Sequence, residues 1–229
     1  ENPAGGMFPM LPLANRVAGN RFIFQGREIV LPRHHADPLF FLHGDGWLQR
    51  WDMIVRDGDY CVLQLRRQHA CGFDYLAQIR YQLLRNQLVA ALTLTHCGST
   101  PILYGCGFHP FFPFDKRGTV QFAAAGYWPE GEQHLPLGWQ GQLPGYADFS
   151  HAQYGEDRWL NVGYSGWSGR ARVSSDVMDI TILSQTPWLM LFRMQGEPFL
   201  CLEPQSHPVN AHNMDGQPGL RVLGAGDTL

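Results

Sequence analysis

Residues 75–96 read YLAQIRYQLLRNQLVAALTLTH, and this stretch decides the fold class. Successive side chains of a β-strand point to opposite faces, so apolar residues at every second position mark one buried face. Apolar residues alternate in this way before and after the polar pair Arg85-Asn86, as Tyr75, Ala77, Ile79, Tyr81 and Leu83 and then as Leu88, Ala90, Leu92 and Leu94. The pattern predicts two long antiparallel strands, one on each side of Arg85-Asn86.

The rest of the chain repeats this pattern in shorter segments. Phe22-Ile23-Phe24 and Ile29-Val30-Leu31 flank polar residues with Gly26, which predicts a hairpin. Further runs rich in β-forming residues and bounded by Gly or Pro lie at 119–124, 177–183, 188–194 and 199–203. No window forms a long amphipathic helix. Repeated strands without alternating helices predict an all-β fold, a large antiparallel β-sandwich, and the length of 229 residues fits a single domain over 1–229.

Charge and cysteine content exclude several classes of partner. The net charge is −3, which provides no basic surface for nucleic acid. No apolar run approaches the roughly 20 residues that cross a bilayer, and the first residues lack the order of a signal peptide, so no membrane association is expected. The cysteines are odd in number and never form a C-x-x-C spacing: Cys61, Cys71, Cys97, Cys106 and Cys201. We therefore expect thiols that pack as small core residues in a cytoplasmic protein.

Five short motifs follow one another along the chain. They are PLANRVAGNRF at 12–22, LHG at 42–44, GFHPFF at 107–112, GWSG at 166–169 and CLEPQS at 201–206. In this order they resemble the motifs P-x-x-N-R-I-x-x-G-x-F, L-H-G, H-P-Y-F, G-W-x-G and C-x-E-P-x-S of the aldose 1-epimerase (galactose mutarotase-like) family. The resemblance implies a galactose mutarotase-like supersandwich and an isomerase that interconverts the α and β anomers of a hexose or hexose phosphate.

The same resemblance implies roles for individual residues. Glu203 would be the general base and His109 the general acid, and Arg16, His43 and Asn15 would position the sugar. Mutarotation removes a proton from the anomeric hydroxyl while it protonates the ring oxygen, and a tuned carboxylate and imidazole suit both steps. A guanidinium offers a planar fork of donors to sugar hydroxyls. The resemblance implies neither a metal ion nor an organic cofactor.

The local sequence by itself leaves other interpretations open. Strand alternation places Glu203 on the same face as Cys201, among apolar neighbours, where burial would raise the pKa of the carboxyl as a general base requires. Glu203 could equally be a strand-end residue in solvent or in an ion pair. His109 could cap an aromatic turn, His43 could be a loop histidine without a role, and Arg16 could be an ordinary surface cation.

Two histidine pairs raise the question of a metal site. His34 and His35 are adjacent, and His207 and His212 lack nearby acidic or thiolate ligands at the spacing of a zinc site. No metal site is therefore predicted.

One position departs from the family pattern. Many members carry an acidic residue six positions before the G-W tryptophan, where it binds sugar hydroxyls, and this chain has Asn161 there. An amide still donates and accepts hydrogen bonds. Asp157 could replace the acid if a loop shift brings it in, so both Asn161 and Asp157 are candidates for substrate binding. The departure leaves a non-catalytic carbohydrate-binding module open as an alternative.

A hexose-phosphate mutarotase is a further alternative, for which Arg33, Lys116 and Arg117 are available cations. A glycosidase is disfavoured because only one carboxylate has a motif around it. The sugar and the oligomeric state are not predicted. Both chain ends look short for the family, at Glu1 and Leu229, so missing terminal strands are expected.

Two stretches without periodicity, 126–145 and 150–157, are predicted to be ordered loops over the site, since loops of this length in a compact domain usually have a function. Four tryptophans lie in loop-like sequence, where an aromatic face can cover a pyranose: Trp47, Trp128, Trp139 and Trp159. Most tryptophans lie in the core or at the rim of a site, so no more than one or two are expected to contact sugar.

Overall fold

The computed structural model describes residues 6–229, and these residues form antiparallel β-sheets joined by loops and short 3-10 turns. The strands in chain order are β1 (Met7–Met10), β2 (Arg21–Phe24), β3 (Arg27–Val30), β4 (Asp52–Asp57), β5 (Tyr60–Gln68), β6 (Asp74–Leu84), β7 (Gln87–His96), β8 (Ile102–Tyr104), β9 (Gly107–Pro113), β10 (Thr119–Phe122), β11 (Gly126–Trp128), β12 (Gln153–Tyr154), β13 (Leu160–Ser165), β14 (Arg170–Ser175), β15 (Met178–Leu183), β16 (Trp188–Arg193), β17 (Phe199–Gln205) and β18 (Arg221–Leu223). The 3-10 turns are Ala18–Asn20, Gly46–Leu48, Glu132–His134 and Ala211–Asn213. Within 6–229 no helix has the length and apolarity that crossing a membrane requires.

The two long strands predicted from 75–96 are confirmed. β6 and β7 pair antiparallel from Leu84↔Gln87 at the turn to Tyr75↔His96 at the far end. Near the far end the apolar face is fully buried, whereas Leu83 and Leu88 are about 60 % exposed. The hairpin thus extends beyond the core. Apolar residues still alternate at its tip, although the side chains there are exposed.

The predicted hairpin at 22–31 is also confirmed, as β2 and β3. Gln25 and Gly26 form its turn with φ of 50° and 74°, the left-handed pair that matches the twist of a two-residue hairpin. The runs predicted at 119–124, 177–183, 188–194 and 199–203 correspond to β10, β15, β16 and β17.

The predicted loop at 126–145 begins instead with a strand. β11 pairs with β13 through Gly126↔Ser165 and Trp128↔Gly163. A strand of three residues is too short to show an alternating pattern, which explains why the sequence did not indicate it. Trp128 therefore lies on a strand at the edge of a sheet.

Two sheets enclose one of the two apolar clusters. The six-stranded sheet has the order β1-β9-β17-β16-β13-β11, and the four-stranded sheet has the order β12-β10-β14-β15. Leu191 and Leu202 from the first sheet pack in one cluster with Val120 and Val173 from the second. Each such side chain contributes about 1.5–3 kcal/mol to folding by leaving water. The predicted antiparallel β-sandwich is confirmed.

The other apolar cluster lies beneath the β2–β3 hairpin, where Phe22 and Ile29 pack with Tyr75 of β6 and Tyr104 of β8. The described residues thus have two cores, and the division into domains stays a prediction.

One face of the six-stranded sheet packs on the core, and strand alternation places different side chains on the opposite face. In β16 and β17 the leucines at 189, 191, 200 and 202 point into the core, so Met190, Cys201 and Glu203 point to the opposite face. The candidate site occupies this opposite face.

Candidate active site

His109 and Glu203 lie side by side on neighbouring strands. Phe111↔Cys201 and Gly107↔Gln205 pair β9 with β17, and the two site residues lie between these pairs on the same face. His109 Nε2 is 3.2 Å from Glu203 Oε1, and the side chains are only 8 % and 2 % exposed. Two of the alternatives left open by the local sequence, a solvent-exposed Glu203 and a turn-capping His109, are wrong, because both residues are buried within strands.

Burial perturbs both groups of this pair. It raises the pKa of Glu203 to about 8, although the nearby charge of Arg16 opposes the rise. Burial also lowers the pKa of His109. Because the pair resists both the loss of its last proton and the gain of a second, it carries one proton across the neutral range. Such a pair can accept a proton from one atom of a ligand and donate a proton to another.

His43 stands beside this pair with a defined tautomer. Its ring lies edge-on to His109 with centroids 5.2 Å apart. The backbone N–H of Asn15 donates to His43 Nδ1 at 3.1 Å, so the proton of the neutral ring lies on Nε2. Burial lowers the pKa of His43 far below the usual value, and His109, Arg16 and His34 lower it further. His43 therefore presents a neutral N–H donor.

His43, His109 and Glu203 also have the donor types of a metal site. One ligand atom from each lies within 4.8 Å of the others. A metal ligand must offer a free lone pair, however, and His43 Nδ1 already accepts the N–H of Asn15 while Nε2 carries the proton. The arrangement suits proton transfer and hydrogen bonding better than metal binding.

An aromatic layer orients the imidazoles. Phe8 of β1 stacks on His109 with centroids 4.5 Å apart and on Trp47 with centroids 4.9 Å apart. Phe111 also stacks on His109, with centroids 4.8 Å apart. These contacts fix the plane of the His109 ring, so that Nε2 faces Glu203.

The backbone that presents His43 is strained. Asn15, His43 and Gly44 adopt left-handed φ values of 61°, 58° and 67°. A Cβ at Gly44 would lie 2.0 Å from the carbonyl oxygen of Leu11, which explains why glycine follows the histidine in the L-H-G motif. Strain of this kind is common at functional sites, where the surrounding structure maintains it.

We expect Gly44→Ala to lower the free energy of unfolding by about 2–5 kcal/mol, because the left-handed backbone and the overlap with Leu11 both disfavour a side chain. Gly26→Ala is the matched control, since Gly26 has φ of 74° but no atom within 4 Å of its Cβ position. The control should lose only about 1–2 kcal/mol. Denaturant unfolding measures both changes, and equal losses would contradict the role of the Leu11 contact.

His207 supports the segment that carries Asn15 and Arg16. Its Nε2 accepts the N–H of Ala14 at 3.1 Å, and its Nδ1 donates to the carbonyl oxygen of Pro208 at 2.8 Å. Both ring nitrogens are therefore used in holding the backbone. The sequence signal was available, because His207 directly follows the C-x-E-P-x-S motif.

Arg16 is half-buried and faces carboxylates. Its Nη1 donates to Asn15 Oδ1 at 3.2 Å. Burial lowers the pKa of Arg16, and the negative charges of Asp37, Glu203 and Glu130 oppose that lowering. Arg16 is thus partly buried and feels the charge of Glu203, unlike an ordinary surface cation.

Asn161 and Asp157, the two candidates for the role of the missing acid, lie in different places in the structure. Asn161 lies on β13 opposite Phe192 of β16 and is buried on the same face as Glu203. Exposed Asp157 instead accepts the N–H of Gly196, in the turn between β16 and β17, at 2.6 Å. Its charge acts on Arg193, which alternation places on the core side of the sheet. Asp157 therefore has a structural contact away from the pair, and the loop shift that would bring it to the site is not seen.

Glu130 also belongs to this region, although no motif in the sequence indicates it. Its Oε1 accepts a hydrogen bond from Asn161 Nδ2 at 2.6 Å, and its Oε2 accepts one from Trp159 Nε1 at 2.7 Å. Glu130 lies two residues beyond Trp128, so the β11–β13 register continues to a position opposite Asn161. Only knowledge of this pairing could have indicated the contact.

Two of the four tryptophans border the pair and its surroundings. Trp47 stacks on Phe8, and Trp159 lies 5.3 Å edge-on from Phe192. Trp139 covers Gly126 and donates to Ser165, outside this group. The expectation that one or two tryptophans contact sugar stays a prediction.

Several known proteins resemble this chain in sequence and in fold. A family model described as Aldose 1-epimerase matches residues 5–229. The uncharacterised protein YphB of Escherichia coli K12 is 34 % identical over 233 residues, which cover 96 % of this chain and 80 % of that protein. A crystal structure from E. coli K12, whose name assigns it provisionally to aldose 1-epimerase, superposes with a TM-score of 0.92 at 33 % identity and covers 98 % of this chain and 80 % of that one.

A more distant structure, the GalM/aldose epimerase homologue from C. elegans, has a TM-score of 0.78 at 17 % identity, with 96 % of this chain and 78 % of that one covered. At this identity the likeness shows a shared fold. The family model matches nearly all of the chain, over a range that contains all five motifs. The chain belongs to the aldose 1-epimerase family.

Proposed function

We propose that the protein is an aldose 1-epimerase that interconverts the α and β anomers of a free hexose by general acid–base catalysis. The observation that supports this proposal most strongly is the buried pair of His109 and Glu203, whose side chains lie 3.2 Å apart. Burial raises the pKa of Glu203 and lowers that of His109, which favours one proton on the pair. Anomer exchange needs one base and one acid at neighbouring oxygens of the same ring, and the pair provides both.

In the proposed reaction the carboxylate of Glu203 removes the proton from the anomeric hydroxyl, and protonated His109 donates its proton to the ring oxygen. The bond between C1 and the ring oxygen breaks and leaves an open-chain aldehyde. After rotation about the C1–C2 bond, the freed hydroxyl attacks the other face of the aldehyde and returns its proton to His109, while Glu203 returns a proton to the anomeric oxygen. The pair ends with the one proton with which it began.

Arg16 and His43 are proposed to hold the substrate in this orientation. His43 offers a neutral Nε2–H, and Arg16 offers charged donors directed by Asn15. The charge of Arg16 also favours the ionised form of Glu203 that the first proton transfer uses.

The charges around Arg16 favour a neutral sugar over a sugar phosphate. Three carboxylates, those of Asp37, Glu203 and Glu130, act on this one guanidinium. Of the cations considered for phosphate binding, Arg117 forms ion pairs with Asp115 and Asp176 on the surface. A phosphate dianion near Arg16 would meet repulsion from the carboxylates.

Polarimetry of freshly dissolved α-glucose and α-galactose tests the proposal. We expect the rate of equilibration to rise in proportion to protein concentration, with hexose 6-phosphates equilibrating no faster than in buffer. Glu203→Gln purified in the same way is the control for contaminating enzymes. If every sugar equilibrates at the buffer rate although NMR titration shows hexose binding, the protein is a carbohydrate-binding module and the proposal is wrong.

We expect the rate of mutarotation to be level across neutral pH and to fall on the alkaline side near pH 8, where the raised pKa of Glu203 lies. Above that pKa the pair loses its only proton, and no acid remains for the ring oxygen. On the acid side the pair gains a second proton only well below the usual histidine range, because burial lowers the pKa of His109. The measurement is kcat/KM extrapolated to zero buffer concentration, and a single acid limb near pH 6.5, about the ordinary pKa of histidine, would contradict a shared proton.

A further inference from the structure

Glu130 is the centre of a polar group that the general acid–base pair does not use. Asn161 Nδ2 and Trp159 Nε1 donate to its two oxygens, and His134 Nδ1 lies 2.5 Å from Oε1. The His134 ring also packs against Trp159 with centroids 5.5 Å apart. Gln133 and His134 adopt left-handed φ values of 55° and 61°, so the backbone is strained where it places His134 against the carboxylate.

Asn161 of this group lies on the same face of the six-stranded sheet as the pair, and we call the region of that face between Glu130 and the pair the cleft. Asn161 and Phe192 are directly opposite each other on β13 and β16, and the Phe192 ring lies between Trp159 at 5.3 Å and His109 at 6.5 Å. β13 and β17 are two strands apart, which corresponds to about 10 Å. One pyranose ring can span that separation, with its anomeric carbon near Glu203 and its far hydroxyls near Asn161.

The two carboxylates of the cleft differ in charge state. Burial opposes ionisation of Glu130, but donors from Asn161, His134 and Trp159 outweigh it and hold the pKa below the usual value. Burial raises the pKa of Glu203, and no such set of donors surrounds it. Opposite shifts in neighbouring carboxyl groups commonly mark different roles in one site.

Glu130 also has capacity for a ligand. An ionised carboxylate has about four lone-pair positions, and the protein contacts among the described residues leave at least one of them unused. The side chain is 22 % exposed, so a solute in the cleft can reach it. The charges of both Glu130 and Glu203 act on Arg16 and raise its pKa against the effect of burial.

We propose that Glu130 is a sugar-binding residue that accepts hydrogen bonds from one or two hydroxyls on the side of the pyranose remote from the anomeric carbon. It supplies, from the segment that follows β11, the carboxylate that β13 lacks because position 161 is Asn. Asn161 acts as a positioning residue that holds the carboxylate toward the cleft. The proposal rests on the proposed function, since it assumes that a hexose occupies this cleft.

A purely structural role for Glu130 makes a different prediction. In that case the carboxylate would only fix the segment around His134, and its loss would affect all sugars alike. A sugar-binding role instead makes the loss depend on which hydroxyls the sugar carries.

The test compares Glu130→Gln with Glu132→Gln, a matched control in the same segment whose exposed side chain makes no hydrogen bond or ion pair in the described residues. For glucose and galactose we expect Glu130→Gln to raise KM about 10- to 100-fold, as for loss of a charged hydrogen bond, with kcat changed much less. Glu132→Gln should match the parent. In a series of monodeoxy hexoses, the sugar that lacks the bound hydroxyl should give parent and Glu130→Gln nearly equal kcat/KM.

A second pair of variants distinguishes a sugar-binding role of Glu130 from a purely structural role in the segment around His134. Asn161→Asp alone places two carboxylates in contact, so it should weaken sugar binding through repulsion. The double variant Glu130→Gln/Asn161→Asp returns one carboxylate to the cleft and keeps an amide donor beside it, so it should regain much of the affinity lost in Glu130→Gln. If the double variant recovers nothing and every deoxy sugar loses equally, the sugar-binding role is wrong and Glu130 is structural.

Hexose binding measured by NMR titration distinguishes this proposal from the proposed function. A parent that binds hexose without turnover, and loses that binding in Glu130→Gln, supports the Glu130 role and refutes the epimerase. A parent that is active, with Glu130→Gln unchanged for all sugars, supports the epimerase and refutes the Glu130 role. A parent that neither binds nor converts any hexose refutes both.

Discussion

Glu203→Gln is expected to lower the turnover of mutarotation by about 10²- to 10⁴-fold, the usual contribution of a general base, with a much smaller change in the apparent binding constant. Glutamine has nearly the same shape and can still hydrogen-bond, but it cannot accept the proton of the anomeric hydroxyl. A variant within a few-fold of the parent would show that another residue is the base.

The stability of this variant provides an independent check. The folded-state pKa of Glu203, about 8, lies above the unfolded-state value of about 4.3. A group with a raised pKa contributes stability below the unfolded value, and that contribution is lost as pH rises toward the folded value. Glu203→Gln does not titrate, so at neutral pH it should melt no lower than the parent. A large loss of Tm would mean that the carboxylate is needed for folding.

His109→Gln is expected to lower turnover by a similar factor of about 10²- to 10⁴-fold, because the ring oxygen then receives no proton from the pair. The double variant Glu203→Gln/His109→Gln should lose little more than the worse single variant, since the two residues share one proton and act as a unit. Single-turnover NMR of anomer exchange measures all three.

His151→Gln is the control for the histidine substitution, because His151 is exposed and, among residues 6–229, its side chain hydrogen-bonds with Ser150 alone. Losing the stacked contacts of His109 with Phe8 and Phe111 should reduce stability by about 0.5–1.5 kcal/mol for each pair, so melting curves must accompany the rates. Multiplicative losses in the double variant would indicate two independent groups in place of a coupled pair.

The sequence predicted the burial of side chains best where a single periodic pattern determines it. Alternation between 199 and 203 correctly placed Glu203 opposite the core leucines, and the buried position follows from that. At the tip of the β6–β7 hairpin, alternation predicted buried side chains that are in fact exposed. Alternation shows on which face of a strand a side chain lies, but it does not show how far the core extends.

What the sequence could not predict depends on contacts between distant segments. Glu130 and Asn161 are 31 positions apart and meet only because β11 pairs with β13. Asp157 is held by Gly196, 39 positions away, which no local pattern indicates. The cysteines show the same limit, since Cys201 is buried as expected whereas Cys97 is exposed.

The placement of the cleft on a sheet face has an evolutionary consequence. His109 and Glu203 are aligned by the backbone ladder between β9 and β17, so their mutual geometry is inherited from strand register and tolerates change elsewhere. Glu130 follows the edge strand of the same sheet, in a segment that can lengthen, shorten or exchange residues without disturbing that ladder. A single-residue insertion inside β17, by contrast, would turn residue 203 into the core. If the proposed function is correct, substrate range can therefore diversify within this scaffold while the proposed proton transfer stays unchanged.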